Sequence, residues 1–474
     1  MSTISIKNKA GQGGIQLEMF APSREKSDRT VEKTIKRWIQ EPAHAHSAKS
    51  AKADYGTFKD SLRAPIHRWF KYPAGYSYRL VEEKIKQYGL GRDHWMLDPF
   101  VGSGTTSVEA KRWRINSVGI EAHPFVHWVA STKLNWNIDA GETIAKFHEV
   151  VELAREGVKA TDTGSLPELV HKCYSPGNLA SLAAIRDAIQ SHDMTGEIRH
   201  FLNLALTDTL RNASKAATGW PYIAPAKMHE KASEKEAFSE FEAQFRRMIG
   251  DIKFMQAHYP YQDVAAILIL GDSREFHPEI KPGAIDLALT SPPYLNNYDY
   301  ADRTRLETYF FGWYKSWGEI SDRVRDKLMI SATTQIRRNE FTNNGGLSDE
   351  IREADEVFYY ELLEKVTELS ECRKHKGGKK SYDFLVAGYF NDMFQVIKQV
   401  YAALKPGADF VLVLGDSAPY SVYIPTHEYL ARLGLAIGFS SWKVEELRTR
   451  GDKWQENPQR HKVKLKEVIL TMTR

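Results

Sequence analysis

The sequence is poor in cysteine, in net charge and in long apolar runs. Two cysteines, Cys173 and Cys372, lie far apart among 474 residues, so we predict neither a disulfide framework nor a thiolate metal site. The formal net charge is only +4, which restricts any nucleic-acid contact to local patches. No apolar run is long enough to span a bilayer, and the first residues lack a signal-peptide core. These features predict a soluble cytoplasmic protein without a metal.

A glycine-rich turn lacks the lysine that a nucleoside triphosphate would require. The short strand His94–Leu97 leads into the run Asp98-Pro99-Phe100-Val101-Gly102-Ser103-Gly104-Thr105-Thr106. A Walker loop, which binds nucleoside triphosphates, ends in Gly-Lys-Ser/Thr; here Gly104 is followed by Thr105, so a Walker-type triphosphate site is excluded. The glycines allow a ligand to approach the backbone closely. Asp98 is a candidate acceptor for an ammonium group, and Thr105 begins a helix whose unpaired amides attract an anion.

Two further strands end in acidic residues. Glu121 follows the apolar strand that begins at Ser117, about 20 residues after the glycine turn, where Rossmann-like folds bind ribose hydroxyls. Asp272 follows the strand Ala265–Leu270 and could accept a hydrogen bond from an adenine amino group. This order of strand, glycine turn, helix, strand and acid predicts an adenosyl ligand.

A fourth apolar strand, Ile285–Leu289, stops at a rigid polar turn. Ser291, Pro292, Pro293 and Tyr294 follow it. Open α/β sheets bind ligands at such strand ends. The Ser291 hydroxyl and the Pro292 carbonyl provide two acceptors and Tyr294 provides a stacking ring, which suits the exocyclic amino group of a nucleobase. Taken alone, the stretch is equally compatible with a simple Pro-Pro turn.

The chain is longer than a domain with a single hydrophobic core usually is, so we expect a main domain with large insertions. The expected divisions are a flexible arm (1–55), a catalytic domain in three parts (56–139, 259–314 and 385–474), a helical insertion (140–258) and a candidate target-recognition insertion (315–384). The last is expected to consist largely of polar loops.

The motifs together resemble the S-adenosylmethionine-dependent DNA amino-methyltransferases of bacteria and their viruses, in particular the cytosine-N4 type. The likeness covers about 60–135 and 262–314, and more weakly 385 to the end. It implies a Rossmann-like fold with a mostly parallel seven-stranded sheet. Many members carry the catalytic motif first, whereas here the cofactor motif comes first. The residues that would bind the cofactor are Tyr72, Ser77, Asp98, Pro99, Phe100, Gly102, Gly104, Thr105, Glu121, Asp272 and Ser273.

The resemblance implies methyl transfer to the N4 amino group of a flipped cytosine in double-stranded DNA, with Ser291, Pro292, Pro293 and Tyr294 holding the base. It leaves open whether a restriction endonuclease accompanies the protein. Alternatives are N6-adenine methylation, an RNA or protein amino-methyltransferase, and an inactive DNA-binding protein on this fold. The candidate DNA-binding residues, for which a solvated surface is the alternative, are Arg337, Arg338, Arg373, Lys374, Lys376, Lys379 and Lys380.

Overall fold

A computed structural model describes the chain in ranges: 52–72, 75–217, 224–228, 234–260, 263–337, 344–377, 380–450 and 464–474, with the backbone of 5–6 and 15–16. The chain divides into two compact units, 1–49 and 50–474. In the first unit, Ser5–Ile6 pairs antiparallel with Ile15–Gln16. The rest of the predicted arm up to residue 51 lies outside the described residues. At the arm's end, Tyr55 is buried and donates a hydrogen bond to Glu83 Oε2 at 2.5 Å.

Within the described residues, seven strands form one sheet. They are β1 (Trp95–Asp98), β2 (Asn116–Glu121), β3 (Ala266–Leu270), β4 (Ile285–Thr290), β5 (Leu404–Gly415), β6 (Ser441–Arg450) and β7 (Leu465–Thr473). Their spatial order is β6-β7-β5-β4-β1-β2-β3. The five strands from β5 to β3 are parallel, and β7 runs antiparallel to both of its neighbours. The predicted fold class, a mostly parallel seven-stranded α/β sheet, is therefore confirmed.

The chain order reverses direction between β1 and β4. From β1 the chain proceeds outwards to β2 and β3, and it then returns to place β4 on the other side of β1. Leu97 of β1 pairs with Ala288 of β4 in parallel register. Because loops leave the two strands in opposite directions at such a switch point, a crevice opens outside the carboxyl ends of the strands.

Alternate residues of the central strands pack into different cores. Met96, Leu287 and Val411 belong to one apolar cluster, whereas their neighbours Leu97 and Ala288 belong to another. Successive side chains of a strand point to opposite faces, so both faces of the sheet are covered. This double burial explains why the strands appear in the sequence as continuous apolar runs.

Helices cover the sheet and build the insertions. They are α1 (Tyr78–Gln87), α2 (Thr105–Arg112), α3 (Pro124–Leu134), α4 (Ala140–Gly157), α5 (Glu168–Cys173), α6 (Pro176–Ser191), α7 (Gly196–Asn212), α8 (Ala237–His258), α9 (Tyr300–Arg303), α10 (Arg305–Phe310), α11 (Trp317–Arg323), α12 (Asp349–Ala354), α13 (Glu356–His375), α14 (Tyr382–Ala403) and α15 (Thr426–Ile437). A short antiparallel pair joins Ala216–Ala217 to Ala224–Met228.

Several boundaries differ from the sequence-based expectation. Helix α14 begins at Tyr382, inside the range 315–384 that was expected to be an insertion. The long polar loops expected between 315 and 384 are wrong for 356–375, which form α13 with Phe358 and Leu362 buried. β6 was not predicted because its sequence, Ser441–Arg450, is polar and much of it is exposed at the sheet edge. In each case tertiary packing outweighs the local pattern.

None of the described helices is long and apolar enough to span a membrane.

Candidate active site

An open cleft with an empty volume of about 830 Å³ lies at the carboxyl ends of β1 and β4. The residues of its wall that the sequence had indicated are Tyr72, Pro99, Phe100, Gly102, Thr105, Glu121, Asp272, Ser273, Ser291 and Pro293. The remaining indicated residues lie outside the wall, namely Ser77, Asp98, Gly104, Pro292 and Tyr294. The cofactor motif and the catalytic motif therefore share one cleft, although almost 190 residues separate them.

The glycine turn is folded tightly against the end of β2. Gly102 has a φ of 53° and Gly104 a φ of 91°, which are left-handed values that glycine adopts without a steric cost. The Gly102 amide donates to Glu121 Oε2 at 2.9 Å. Gly104 is the N-cap of α2, so Thr105 and the following amides begin the helix at the cleft. The turn thus presents backbone donors rather than a charged side chain.

Glu121 is fixed at the end of β2 and faces the cleft. Its Oε1 accepts a hydrogen bond from the His123 amide at 2.8 Å, while its Oε2 accepts from Gly102. Burial raises the pKa of Glu121 to about 7, and the two backbone donors oppose that shift. Each carboxylate oxygen keeps further acceptor capacity, so the side chain can accept hydroxyl donors from a ligand.

Asp98 lies behind the cleft and not in its wall. Its Oδ1 accepts from Thr290 Oγ1 at 2.6 Å and from the Phe100 amide at 3.0 Å. Its Oδ2 accepts from Thr106 Oγ1 at 2.7 Å and from the Tyr76 hydroxyl at 3.3 Å. With four donors around a carboxyl group that is 1% exposed, Asp98 joins the two motifs. The arrangement does not favour the predicted direct contact with an ammonium group.

The catalytic motif leaves β4 with its serine hydroxyl fixed. Ser291 Oγ donates to the Val413 carbonyl of β5 at 3.1 Å, which leaves the oxygen lone pairs available as acceptors. Pro292 is buried, whereas Pro293 is partly exposed in the wall. The Tyr294 hydroxyl donates to Glu467 Oε1 at 3.2 Å. The motif therefore presents a hydroxyl acceptor in the wall of the cleft, and its tyrosine, which lies outside the wall, is anchored through its hydroxyl to Glu467.

The third strand end carries an ion pair that the sequence did not suggest. Asp272 is bound by Arg274, whose Nε lies 2.9 Å from Oδ1 and 3.0 Å from Oδ2. Arg274 also reaches Asp392 Oδ1 at 2.8 Å. Ser273 donates a short hydrogen bond to the Pro99 carbonyl. This network ties the wall of the cleft to α14, and Arg274 itself contributes to the wall.

Tyr72 and Ser77, two of the residues predicted to bind the cofactor, have different positions. Tyr72 is buried and lines the cleft. Ser77 instead is the N-cap of α1, where its hydroxyl accepts from the Arg79 amide at 3.3 Å and donates to Asp60 Oδ2 at 2.9 Å. Its neighbour Tyr76, which no sequence motif indicated, lines the cleft instead. The high density of aromatic residues in this segment was the available signal.

Further wall residues come from segments without a recognised motif. Tyr300, at the start of α9, lines the cleft, as do Lys327, Leu328 and Met329 from the segment after α11. The Lys327 carbonyl accepts a hydrogen bond from Arg274 Nη2 at 3.2 Å. Part of the range 315–384 therefore closes one side of the cleft. No spacing in the sequence pointed to this segment.

The candidate DNA-binding residues lie in different environments. Arg338 and Lys379 fall outside the described residues. Arg337 pairs with Asp326, and Lys374 pairs with Glu371 at 2.6 Å. The Nζ atom of Lys376 lies 5.1 Å from the ring centre of Tyr420, and the Nζ atom of Lys380 lies 5.8 Å from the ring centre of Tyr382. Those two rings meet edge to face at 4.7 Å, so the two lysines flank an aromatic pair.

Arg373 differs from the other basic residues. It is 17% exposed and pairs at 2.7 Å with Asp383, which is 2% exposed. It also lies 5.0 Å from the Phe384 ring centre. These contacts occur in the last turn of α13, where a basic side chain complements the helix dipole. This geometry favours a role for Arg373 in joining α13 to α14 over contact with phosphate.

Comparisons with known proteins agree with the motif pattern. Residues 11–131 match the family model of the N6 and N4 methyltransferases, described as DNA methylase. This range includes the glycine turn and Glu121 but ends before Ser291. The chain is 23% identical over 454 residues to the type II methyltransferase M.BsoBI of Geobacillus stearothermophilus, covering 87% of this chain and 86% of that protein. It is 23% identical to M.AvaI of Nostoc sp. (84% of each chain) and 21% identical to M.MvaI of Kocuria varians (83% and 85%), both type II methyltransferases.

Proposed function

We propose that this chain, whose residues 11–131 match the family model of the N6 and N4 DNA methylases, transfers the methyl group of S-adenosylmethionine to the exocyclic N4 of a cytosine in double-stranded DNA. The comparisons support a DNA methyltransferase of the N4/N6 type. The base, the assignment of the site residues and the residues that contact DNA are the proposed parts.

One observation carries the proposal: the glycine turn and Ser291 face the same cleft from neighbouring parallel strands. The hydrogen bond of 2.6 Å from Thr290 to Asp98 holds the ends of those strands together. A methyl donor on one side and an acceptor group on the other would then meet without a large rearrangement. Fixing two reactants in this way is a major source of rate enhancement in group transfer.

The residues of the cleft suit S-adenosylmethionine. Glu121 would accept hydrogen bonds from the ribose hydroxyls, and Asp272 from the adenine amino group. The backbone amides at the start of α2, beginning at Thr105, would attract the carboxylate. Tyr72 and Phe100 provide apolar surface in the wall. When bound, the cofactor supplies a methyl group that is already activated on a sulfonium centre.

The protein's own contribution is to hold the target nitrogen in a reactive geometry. A base in a duplex must first be extruded. Ser291 Oγ and the Pro292 carbonyl would accept hydrogen bonds from the two N–H groups of the amine, and Tyr294 would stack on the ring. These contacts favour a pyramidal nitrogen whose lone pair points at the methyl group. Positioning and electrostatics supply the rate enhancement.

The choice of N4 over N6 depends on Ser291. In the family that this chain resembles, serine at the first position of the motif is the usual residue of the cytosine-N4 type, and aspartate or asparagine that of the adenine type. The Pro-Pro-Tyr portion is common to both. N6-adenine methylation is the second candidate, because the same acceptors and ring would bind adenine.

The DNA would be held partly through its phosphates. Lys376 and Lys380 are the described basic residues that best fit this role, since both lie at an aromatic pair that bases or sugars could contact. We also propose that 315–384 contains the target-recognition insertion and that 140–258 is a separate helical insertion. The proposed location is the cytoplasm, and a cognate restriction endonuclease is the proposed partner in the cell.

The product identifies the reaction. DNA from cells that express the protein is digested to nucleosides and analysed by mass spectrometry, with DNA from cells expressing the Ser291→Ala variant as the control. N4-methylcytosine that depends on Ser291 supports the proposal. N6-methyladenine alone would replace cytosine with adenine as the target.

A parallel assay with purified RNA and DNA tests the nucleic-acid class. Cofactor binding without turnover on either substrate would instead favour an inactive DNA-binding protein. Methylation-sensitive sequencing of the same DNA then gives the recognition sequence.

A further inference from the structure

A buried carboxylate contacts the ring that is proposed to stack on the target base. Glu467 lies in β7 and is 2% exposed. Its Oε1 accepts the hydrogen bond from the Tyr294 hydroxyl at 3.2 Å. The two residues are 173 positions apart in the sequence, and neither motif of the resemblance contains Glu467. A carboxylate can orient a tyrosine ring because the phenolic O–H bond prefers to lie in the plane of the ring, so an acceptor held in one place favours one ring plane.

The other oxygen of this carboxylate is held from the edge of the sheet. Arg448 of β6 donates from its Nε to Glu467 Oε2 at 2.5 Å. The pairing register of β6 and β7 shifts between Glu446 and Arg448, and this bulge places Arg448 directly opposite Glu467. Bulges next to active sites commonly redirect a side chain in this way. Arg448 thereby fixes the orientation of the carboxylate that Tyr294 contacts.

The chain also packs closely over the carboxylate at Gly56. A Cβ atom built on Gly56 would lie 2.4 Å from Glu467 Oε2, so a larger residue could not occupy this position without a shift. The carboxylate is thus enclosed by a tyrosine, an arginine and a glycine backbone. Such enclosure limits the rotation of the carboxyl group and of the phenol that it holds.

We infer that Glu467 is a positioning residue for the methyl transfer: oriented by Arg448, it holds the Tyr294 ring in the plane needed to stack on the extruded base. The inference rests on the proposed function of Tyr294. It predicts that a change at Glu467 impairs catalysis through Tyr294 and leaves the cofactor side of the cleft unaffected.

A double-mutant cycle tests this coupling. Tyr294→Phe keeps the ring but removes the hydroxyl, and Glu467→Ala removes its acceptor. Each single change should lower kcat by about tenfold, because a hydrogen bond to a charged group is lost. The double variant should be no slower than the slower single variant. The affinity for S-adenosylmethionine, measured by titration calorimetry, should stay within about twofold in all three, since no cofactor contact is changed.

A matched control is available on the same two strands. Glu446 of β6 pairs with Lys466 of β7 at 3.4 Å, and both side chains are about half exposed. Glu446→Gln removes a carboxylate from the same edge of the sheet without touching Tyr294, so kcat should remain at the wild-type value. Glu467→Gln keeps the size of the side chain and an acceptor for the hydroxyl, so its kcat should stay close to the wild-type value. Glu467→Met keeps the length of the side chain without the acceptor, and it replaces the alanine variant in the cycle if that variant fails to fold.

Base extrusion provides a readout that an ordinary sheet-edge ion pair would not affect. With 2-aminopurine at the target position, the wild type should change the fluorescence on binding, and Glu467→Ala and Tyr294→Phe should alter that signal alike. Losses in kcat that multiply in the double variant would overturn the inference, as would an equal loss in Glu446→Gln. If the wild type methylates no DNA at all, the proposed function fails instead. The same cycle in urea denaturation then still tests the contact, and additive changes in the free energy of unfolding would reject it.

Discussion

Replacing Asp98 tests how the two motifs are held together. Four donors converge on its carboxyl group: Thr290, Thr106, Tyr76 and the Phe100 amide. Removing the carboxyl group in Asp98→Ala leaves these donors in a site that is 1% exposed. Burial raises the pKa of Asp98 above its ordinary value and the four hydrogen bonds limit that rise, so these donors partly offset the cost of burying the charge.

The magnitude follows from the number of contacts. Breaking a buried charged network by removing one partner costs about 3–5 kcal/mol in the free energy of unfolding. Asp98→Asn should cost less than about 2 kcal/mol, because its carbonyl can keep the Oδ1 contacts with Thr290 and Phe100. Its amide can donate to Thr106 and Tyr76, whose hydroxyl groups can rotate to accept. The Phe100 amide has no such freedom.

Urea denaturation and titration with S-adenosylmethionine measure the two consequences. The alanine variant should lose stability and bind the cofactor at least about tenfold more weakly, because the turn beginning at Phe100 is no longer fixed. The asparagine variant should bind within a few-fold of the wild type. Thr290→Ser, which keeps the hydroxyl, is the matched control. Equal stability of the alanine and asparagine variants, with normal binding in both, would refute this account of Asp98.

Three further predictions concern other parts of the chain. Glu121→Ala should lose cofactor binding. In the wild type, the affinity for the cofactor should rise as the pH increases through about 7, because burial raises the pKa of Glu121 to about 7 and the ionised form is the better acceptor. A flat profile in a pH series of titrations would contradict this. The double variant Cys173→Ser, Cys372→Ser should keep wild-type methylation, because the reaction needs no thiolate and burial raises the pKa of Cys173 to about 11. A variant that folds but is inactive would be inconsistent with amino-methylation. Neutralising Lys376 and Lys380 with glutamine should reduce the slope of log affinity for DNA against log salt by about 1–2, and an unchanged slope would make them a solvated surface.

The strands and turns that form the cleft could be predicted from short stretches of sequence. The strand Ile285–Thr290 is mostly apolar and is soon followed by two prolines, and the turn at Gly102 precedes the start of a helix. Strands and turns of this kind depend on residues within a few positions of one another. A strand buried on both faces needs consecutive apolar residues, and a tight turn needs the backbone freedom of glycine. The order of the acids at strand ends also follows from sequence, since parallel strands place their carboxyl ends along one edge.

The partners of individual side chains could not be predicted in this way. Asp98 was expected in the cleft, yet its oxygens are occupied by Thr290, 192 positions away, and by other donors. Arg373 was expected at the DNA, yet it pairs with the buried Asp383. Glu467 had no local signal at all, because its contact with Tyr294 exists only when β7 lies beside β5.

The sequence by itself determined the fold class of this protein and the side chains available to its site. The spacing of apolar residues, the turn residues and the order of the motifs can all be read directly along the chain. Only the tertiary structure decided which carboxylate faces the cleft, as Glu121 does, and which supports it from behind, as Asp98 does. The physical reason is that strand order and helix packing bring together residues that are distant in sequence. The hydrogen-bond partners found there fix the direction in which each polar side chain points.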